Sequence, residues 1–291
     1  MSPLRLRVDV CTHEGLHRGV PVLLDLLRRC RARATFCVTL GPDRSGLAVT
    51  RLLHPGFARR LLRQQPHATY GWRTALFGTL WAAPRVGAGA PDLLRQIRDE
   101  GHEVIPHGWD HRGWQDRLDA YPASRLQREF FRMIEAYERI FRRLPEAFAA
   151  PAWRTNAVLL ELEANAGLRY ASDARGTRPF RPTLAGRLFP VPQLPVTLPT
   201  LDEAMGIQSP EAFAQDILRR SRLQIDYACY AAHAETEGRR HPEVLVRILA
   251  GLERPILPLG EAVPNAAEPR TLIRTVLPGR PYPVAAEGPP L

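Results

Sequence analysis

Gly101-His102-Glu103-Val104-Ile105-Pro106-His107-Gly108-Trp109-Asp110-His111 joins a strand signal to a chemical one. Glu103-Val104-Ile105 is a short strand-like run after a glycine, so His107 falls at a strand's C-terminal end. Barrels and open α/β sheets gather their chemistry at that end. His107 and His111 stand four apart, and on a helical turn their imidazoles point the same way and can share one divalent metal. HxxxH alone is a weak signal, because histidine is common at helix ends and in surface turns. A metal also needs more than two protein ligands, so the remainder must come from elsewhere in the chain.

The first strand supplies candidates. In Leu4-Arg5-Leu6-Arg7-Val8-Asp9-Val10-Cys11 apolar residues alternate with others, which puts Asp9 and Cys11 on one face and Val8 and Val10 on the other. A carboxylate and a thiol projecting together from a buried strand are costly unless something uses them. Strand-like runs recur at 4–10, 35–40, 103–106, 147–150, 168–171, 193–196, 227–232 and 256–258. Helix-like runs fall at 19–30, 92–100, 124–143, 156–166, 210–221 and 242–252, several opened by a proline or a capping residue (Ser124, Asn156, Ser209-Pro210). This alternation predicts an α/β chain with a parallel sheet or barrel.

Composition narrows the function classes. The chain has 291 residues, 45% of them hydrophobic, enough for one large α/β domain or two small ones. No stretch approaches the ~18–20 apolar residues of a membrane span. Met1 leads straight into a strand-like run, so no signal peptide is expected. Cys11, Cys30, Cys37 and Cys229 are scattered without a CxxC pair, which fits a reducing compartment. The formal charge is +10, and all forty cations are arginines. Lysine-based Schiff-base or general-base chemistry is thereby excluded. The charge persists at any working pH and attracts anionic partners. Nucleic acid is not expected among them, because no zinc-finger, RRM or helix-turn-helix signature accompanies the charge. A GxSxG turn, a GxxxxGK[ST] loop and a GxGxxG after a strand are all missing, which argues against serine hydrolases and nucleotide enzymes.

One region breaks the alternation. Residues 45–89 are basic and apolar together, with Phe57-Ala58-Arg59-Arg60-Leu61-Leu62-Arg63, Tyr70-Gly71-Trp72 and Leu76-Phe77-Gly78-Thr79-Leu80-Trp81 cut by Pro55 and Pro66. Short amphipathic pieces of this kind suit an anionic bilayer surface. A lid, a subdomain or a dimer interface would also use such a patch.

A one-metal amide or ester hydrolase needs a cation to polarise the carbonyl and acidify a water, a base for the water's proton and an acid for the leaving amine. Asp9 can be the base. His107, His111 and a third group can hold the metal. His233, at the end of a strand-like run, can be the acid. Arg154 can orient Asp9 and keep it ionised, and Asp173 can fix the tautomer of His233. For any one of these residues alone, a structural salt bridge or packing role is the simpler account.

Their order changes the reading. An early Asp, then HxxxH, a Pro-containing segment ending in Arg, an Asp and a late His after a strand together resemble the polysaccharide deacetylase (NodB-like carbohydrate esterase) superfamily. The resemblance implies a distorted (β/α) barrel that removes acyl groups from amino sugars, with a divalent metal held by one Asp and two His. Further motifs narrow it: Arg7-Val8-Asp9-Val10, Gly19-Val20-Pro21, Gly41-Pro42-Asp43, Tyr70-Gly71-Trp72, Trp114-Gln115, Trp153-Arg154 and Arg169-Tyr170-Ala171-Ser172-Asp173. Pro179-Phe180-Arg181-Pro182, Pro195-Val196-Thr197-Leu198-Pro199-Thr200 and His233-Ala234-Glu235-Thr236-Glu237-Gly238 follow. Within the superfamily these resemble the enzymes that deformylate a lipid-linked formamido sugar. The likeness runs to about Glu261, so residues 1–261 are expected to form the domain, with 45–89 as a membrane-facing insertion and 262–291 as a poorly ordered Pro/Ala/Gly-rich tail.

That resemblance implies a substrate and a place. The substrate would be 4-deoxy-4-formamido-L-arabinose on undecaprenyl phosphate, met peripherally at the cytoplasmic face of a bacterial inner membrane. The products would be formate and a free 4-amino sugar lipid that feeds lipid A modification and cationic-peptide resistance. Arg175, Arg178 and Arg181 are candidates for the substrate phosphate, with Trp153 and Glu235 as further substrate-facing candidates. One position departs from the family pattern, in which the first strand carries Asp-x-Asp and the second Asp holds the metal; here that position is Cys11. A Cys11/His107/His111 set favours Zn²⁺ over harder Mn²⁺, with Co²⁺ also accommodated. Asp9 itself, Asp110 and Glu14 are the other potential ligands. An N-deacetylase of another amino sugar, and a non-catalytic membrane-binding relative, are the alternative functions.

Overall fold

In the computed structural model, residues 1–47, 76–278, 280 and 282–290 are described. In chain order they run β1 (Leu4–Val10), α1 (Val20–Arg29), β2 (Thr35–Val38), α2 (Pro91–Asp99), β3 (Glu103–Pro106), α3 (His111–Arg117), α4 (Ala123–Phe141), β4 (Ala147–Phe148), α5 (Ala157–Asn165) and β5 (Tyr170–Ala171). There follow β6 (Phe180–Leu184), β7 (Arg187–Leu188), α6 (Leu201–Ala204), α7 (Pro210–Leu223), β8 (Ala228–His233), α8 (Pro242–Gly251), β9 (Ile256–Leu257), β10 (Glu268–Thr275) and β11 (Val284–Pro290).

β1 is buried along its whole length and pairs parallel to β2, β8 and β9. β2 pairs parallel to β3 in turn, giving the order β3-β2-β1-β8. Strand periodicity then sorts the side chains. Leu4, Leu6, Val8 and Val10 join the larger apolar cluster, with Leu23 and Leu27 of α1 and Val244 and Ile248 of α8. Arg7 and Asp9 turn the other way, towards a second cluster that includes Ile105, Ala149, Trp153, Tyr170 and Cys229. Helix ends follow their capping chemistry. Asn156 accepts from the Leu159 amide at 3.0 Å, and Ser209 from that of Ala212 at 3.2 Å. α4 buries Leu126, Phe130, Met133, Tyr137 and Ile140, spaced three or four apart, and stops at Arg142 in a left-handed conformation (φ 57°).

Backbone bonds extend the ordering beyond the four parallel strands. The Ala149 amide donates to Pro106, β4 pairs β5, the Leu194 amide donates to Ala171, and the Thr197 amide returns to Cys229 of β8. The 193–196 run, expected as a strand, makes only isolated bridges at Gln193 and Val196. Pro192 and Pro195 deprive it of the amides that a ladder needs.

The described residues from 262 to 290 depart from expectation. β10 and β11 form an antiparallel pair, and β10 also lies parallel to β6, in a second sheet of order β11-β10-β6-β7. Leu272 and Ala285 pack with Phe180 and Phe189, while Val284 enters the inner cluster. The proline and glycine content hid the short apolar runs that drive this pairing. Residues 48–75, the greater part of the expected bilayer-facing insertion, lie outside the described residues.

Candidate active site

The parallel register places Asp9 opposite Cys37 on one side and opposite His233 on the other. The residues that end β1, β3 and β8 therefore meet at one end of the sheet, as strand C-termini do in α/β enzymes. Arg7 lies two residues before Asp9 on the same face. Its guanidinium forks onto the carboxylate, Nε to Oδ1 at 2.5 Å and Nη2 to Oδ2 at 3.0 Å. Nη1 donates to the Ser172 carbonyl at 2.5 Å and to its hydroxyl at 3.0 Å. Burial alone would push the Asp9 carboxyl up, but Arg7, helped by His107 and His233, holds it well below the usual carboxylate range. Arg154, expected in this role, points elsewhere. It donates to the Gln115 carbonyl and to Asp119, both at 2.5 Å, and stacks on Tyr282. Ala152 and Trp153 adopt left-handed conformations (φ 56° and 51°) just before it, and the indole is buried inside while Arg154 reaches the end of α3.

Cys11, His107 and His111 offer ligand atoms that all lie within 4.8 Å of one another. Cys11 follows β1 directly, His107 follows β3, and His111 opens α3. The HxxxH pair thus does not ride one helical turn. Gly108, at φ 78°, turns the chain between strand and helix, and a Cβ there would meet Pro151 at 2.9 Å. The His107 Nδ1–H donates to the Ala149 carbonyl at 2.7 Å, which fixes the ring and leaves Nε2 to ligate. That Nε2 is buried with no hydrogen-bond partner among the described residues. Burial lowers His107 to about 4 and His111 well below its ordinary value, so both rings are neutral near pH 7. Burial, Glu235 and Asp9 push the Cys11 thiol up, so it ionises only when a cation displaces its proton. An orphaned imidazole nitrogen beside a second imidazole and a thiol fits a borderline-soft divalent metal.

His233 sits with Nε2 3.9 Å from Asp9 Oδ2 and Nδ1 3.9 Å from Asp202 Oδ1. Asp173, expected to face Nδ1, does not. It accepts from the Ala150 amide at 2.6 Å and from Gln193 Nε2 at 3.2 Å, beside Glu163. Burial pushes both of these carboxyls up. The carboxylate at His233 is Asp202, in the first turn of α6, which the sequence reading missed. Its only signal is the Thr200–Glu203 capping box, which marks a helix start and carries no hint of a site.

The other candidates scatter. Glu235 accepts from the Cys11 and Thr12 amides and the Thr12 hydroxyl at 2.8–3.0 Å, so it shapes the loop after β1. Trp153 is buried beneath three guanidinium groups, those of Arg7, Arg175 and Arg280. Arg175 is spent on Glu203 and the Val196 and Leu198 carbonyls. Arg178 lines a cleft with Ser2, Arg5 and Tyr227, at the opposite ends of β1 and β8. Arg181 donates to the Ala267 carbonyl. Asp110 caps α3 and pairs with Arg44, and Glu14 pairs with Arg18. The structure therefore gathers Asp9, Cys11, His107, His111 and His233 and leaves the expected phosphate-binding arginines engaged or remote.

A family model described as polysaccharide deacetylase matches residues 6–171. A protein of Shewanella sediminis described as a 4-deoxy-4-formamido-L-arabinose-phosphoundecaprenol deformylase, ArnD, is 35% identical over 243 residues, covering 82% of this chain and 77% of that protein. One of Wigglesworthia glossinidia brevipalpis with the same description is 31% identical, covering 78% and 80%. Among solved structures, a Mycobacterium smegmatis protein described as a polysaccharide deacetylase aligns with TM-score 0.61 at 18% identity, covering 95% of this chain and 99% of that one. A family 4 acetyl xylan esterase from Clostridium thermocellum aligns with TM-score 0.52 at 15% identity, covering 90% of each. Matched over most of its length in sequence and in fold, the chain belongs to the polysaccharide deacetylase family and, within it, to the group of ArnD-type deformylases.

Proposed function

We propose that the protein hydrolyses the formamide of 4-deoxy-4-formamido-L-arabinose carried on undecaprenyl phosphate, releasing formate and the 4-amino sugar lipid. The observation that carries this reading is the meeting of three metal-ligand atoms within 4.8 Å, beside Asp9 and His233, in a chain 35% identical to such a deformylase. Cys11, His107 and His111 would hold the cation, zinc by their donor chemistry, and it would polarise the formyl carbonyl and acidify a water. Asp9, kept ionised by Arg7, takes the water's proton on its carboxylate. His233 delivers a proton from Nε2 to the departing sugar nitrogen, while Asp202 faces Nδ1 and orients the ring. Formate release from the lipid-linked sugar, abolished by a chelator and restored by zinc, tests the reading. Acetate release from an acetamido sugar, with no formate from the formamido substrate, would move the protein to the N-deacetylases.

Cys11→Asp is expected to keep or raise turnover, because it restores the oxygen ligand of the family pattern. It should also shift metal preference towards harder ions such as Mn²⁺. Formate assays of the variant loaded with each metal check this; loss of both metal and turnover would remove Cys11 from the ligand set.

The lipid part of the substrate requires access from a bilayer. Among the described residues no helix is long and apolar enough to cross a membrane. Leu80 and Trp81 remain exposed at 81% and 40%, next to the arginine-rich 48–75 segment. The 45–89 region is therefore proposed to bind the anionic membrane surface peripherally. Removing residues 47–85 should free the protein from anionic liposomes in a sedimentation assay. Undiminished sedimentation would place the membrane contact elsewhere.

A further inference from the structure

A side chain of the C-terminal hairpin enters the site. Arg280, between β10 and β11, is 7% exposed. Its guanidinium forks onto Asp202, Nη1 to Oδ2 at 2.9 Å and Nη2 to Oδ1 at 3.0 Å. Nη2 also donates to the Thr200 hydroxyl at 2.9 Å, and Nε to Glu203 at 3.0 Å. The same Asp202 oxygen that takes Nη2 lies 3.9 Å from His233 Nδ1. The guanidinium also rests 4.5 Å from the centre of the Trp153 ring, whose indole carries Arg7, the partner of Asp9, at 5.3 Å. We propose that Arg280 is a positioning residue of the active site, acting through Asp202 on His233, so that the hairpin beyond residue 261 completes the site.

Charge balance gives the reason. Arg175 and Arg280 face Asp202 and Glu203, two cations against two carboxylates. Without Arg280 the half-buried Asp202 carboxylate loses its fork, and the Thr200 hydroxyl that also donates to it carries no charge to replace it. The ring of His233, 3.9 Å away, is a group able to become a cation. Asp202 would then draw a proton onto His233 and hold it in a fixed ion pair, and His233 could no longer pass protons in turn. Arg280 keeps both oxygens of the carboxylate engaged, with Oδ1 held 3.9 Å from the ring, so that Asp202 faces His233 without capturing it.

This inference rests on the proposed deformylation, in which His233 handles a proton. The test is a double-mutant cycle in the full-length, zinc-loaded protein with Arg280→Gln, Asp202→Asn and both together. Two readouts are followed: kcat and KM for formate release, and the rate at which diethyl pyrocarbonate modifies His233, measured by mass spectrometry. Arg280→Gln should lower kcat about tenfold or more with little change in KM, as for a weakened general acid. It should also slow His233 modification, because the reagent attacks neutral imidazole. In the Asp202→Asn background Arg280→Gln should add little to either loss. Arg280→Lys keeps the charge but not the fork, and should lose less kcat than Arg280→Gln. If Arg280→Gln does not fold, Arg280→Lys carries the same cycle. An Arg280 variant that folds with unchanged kcat and modification rate overturns the proposal, as do losses that multiply undiminished in the Asp202→Asn background. A wild-type protein that releases no formate would sink the substrate assignment alone, and the modification cycle would still decide the role of Arg280.

Discussion

His111→Ala and His107→Ala should each remove metal binding and turnover together. Among the described residues His107 Nε2 is buried without a hydrogen-bond partner, with the Cys11 thiol and the His111 ring close enough to share an ion with it. Two of three donors are too few for a stable site. Metal per chain, measured by inductively coupled plasma mass spectrometry, should fall from about one to near zero, and formate release should fall with it. His111→Ala is the cleaner variant, since His111 is the first residue of α3, where alanine is well tolerated. His107→Ala also strips the Ala149 carbonyl of its buried hydrogen bond, a cost of roughly 1–3 kcal/mol. Its thermal unfolding should therefore shift even with no metal present. Full metal content in either variant would show that the donor set is wrong.

Asp9→Asn should do the opposite: keep the metal and lose turnover by about 10²–10⁴-fold, as for a lost general base. The Arg7 fork explains how Asp9 stays charged while completely buried. The folded protein keeps its carboxylate charged to lower pH than the unfolded chain does, so the ion pair stabilises the fold above about pH 4 and that stability fades as pH falls. Asn cannot neutralise Arg7, and an unpaired buried charge costs about 3–5 kcal/mol. The variant should thus melt earlier at neutral pH, with a smaller difference from wild type under acid. Metal content and kcat measured on the same preparation separate the roles. If Asp9→Asn comes away without metal, Asp9 is a ligand and the base lies elsewhere.

Much of this site was legible because strand geometry is a strict constraint. The alternation in residues 4–10 fixed which face Asp9 and Cys11 share, and the Gly101–Pro106 run put His107 at a strand's end. The Arg7–Asp9 pair was legible by the same rule, since residues two apart on a strand share a face. Arg154, the guanidinium expected beside Asp9, instead takes its direction from two left-handed residues that no propensity announces. Asp202 was hidden for a different reason. It reaches His233 through a long-range approach of α6 to the end of β8, and a capping box reads only as a helix start. Spacing points to Asp173 alone, and the amides of Ala150 and Gln193 already engage it. The hairpin of residues 268–290 was masked by composition, because proline and glycine counts ignore the few apolar side chains that dock it against Phe180 and Phe189.

The most direct measurement is X-ray absorption at the zinc edge on the purified protein. The expected spectrum has one zinc per chain, with a single sulfur near 2.3 Å and two imidazole nitrogens near 2.0 Å, roughly; the sulfur shell should vanish in Cys11→Asp. A protein that retains no stoichiometric metal, or a zinc surrounded by nitrogen and oxygen alone, would contradict a cation held by Cys11, His107 and His111.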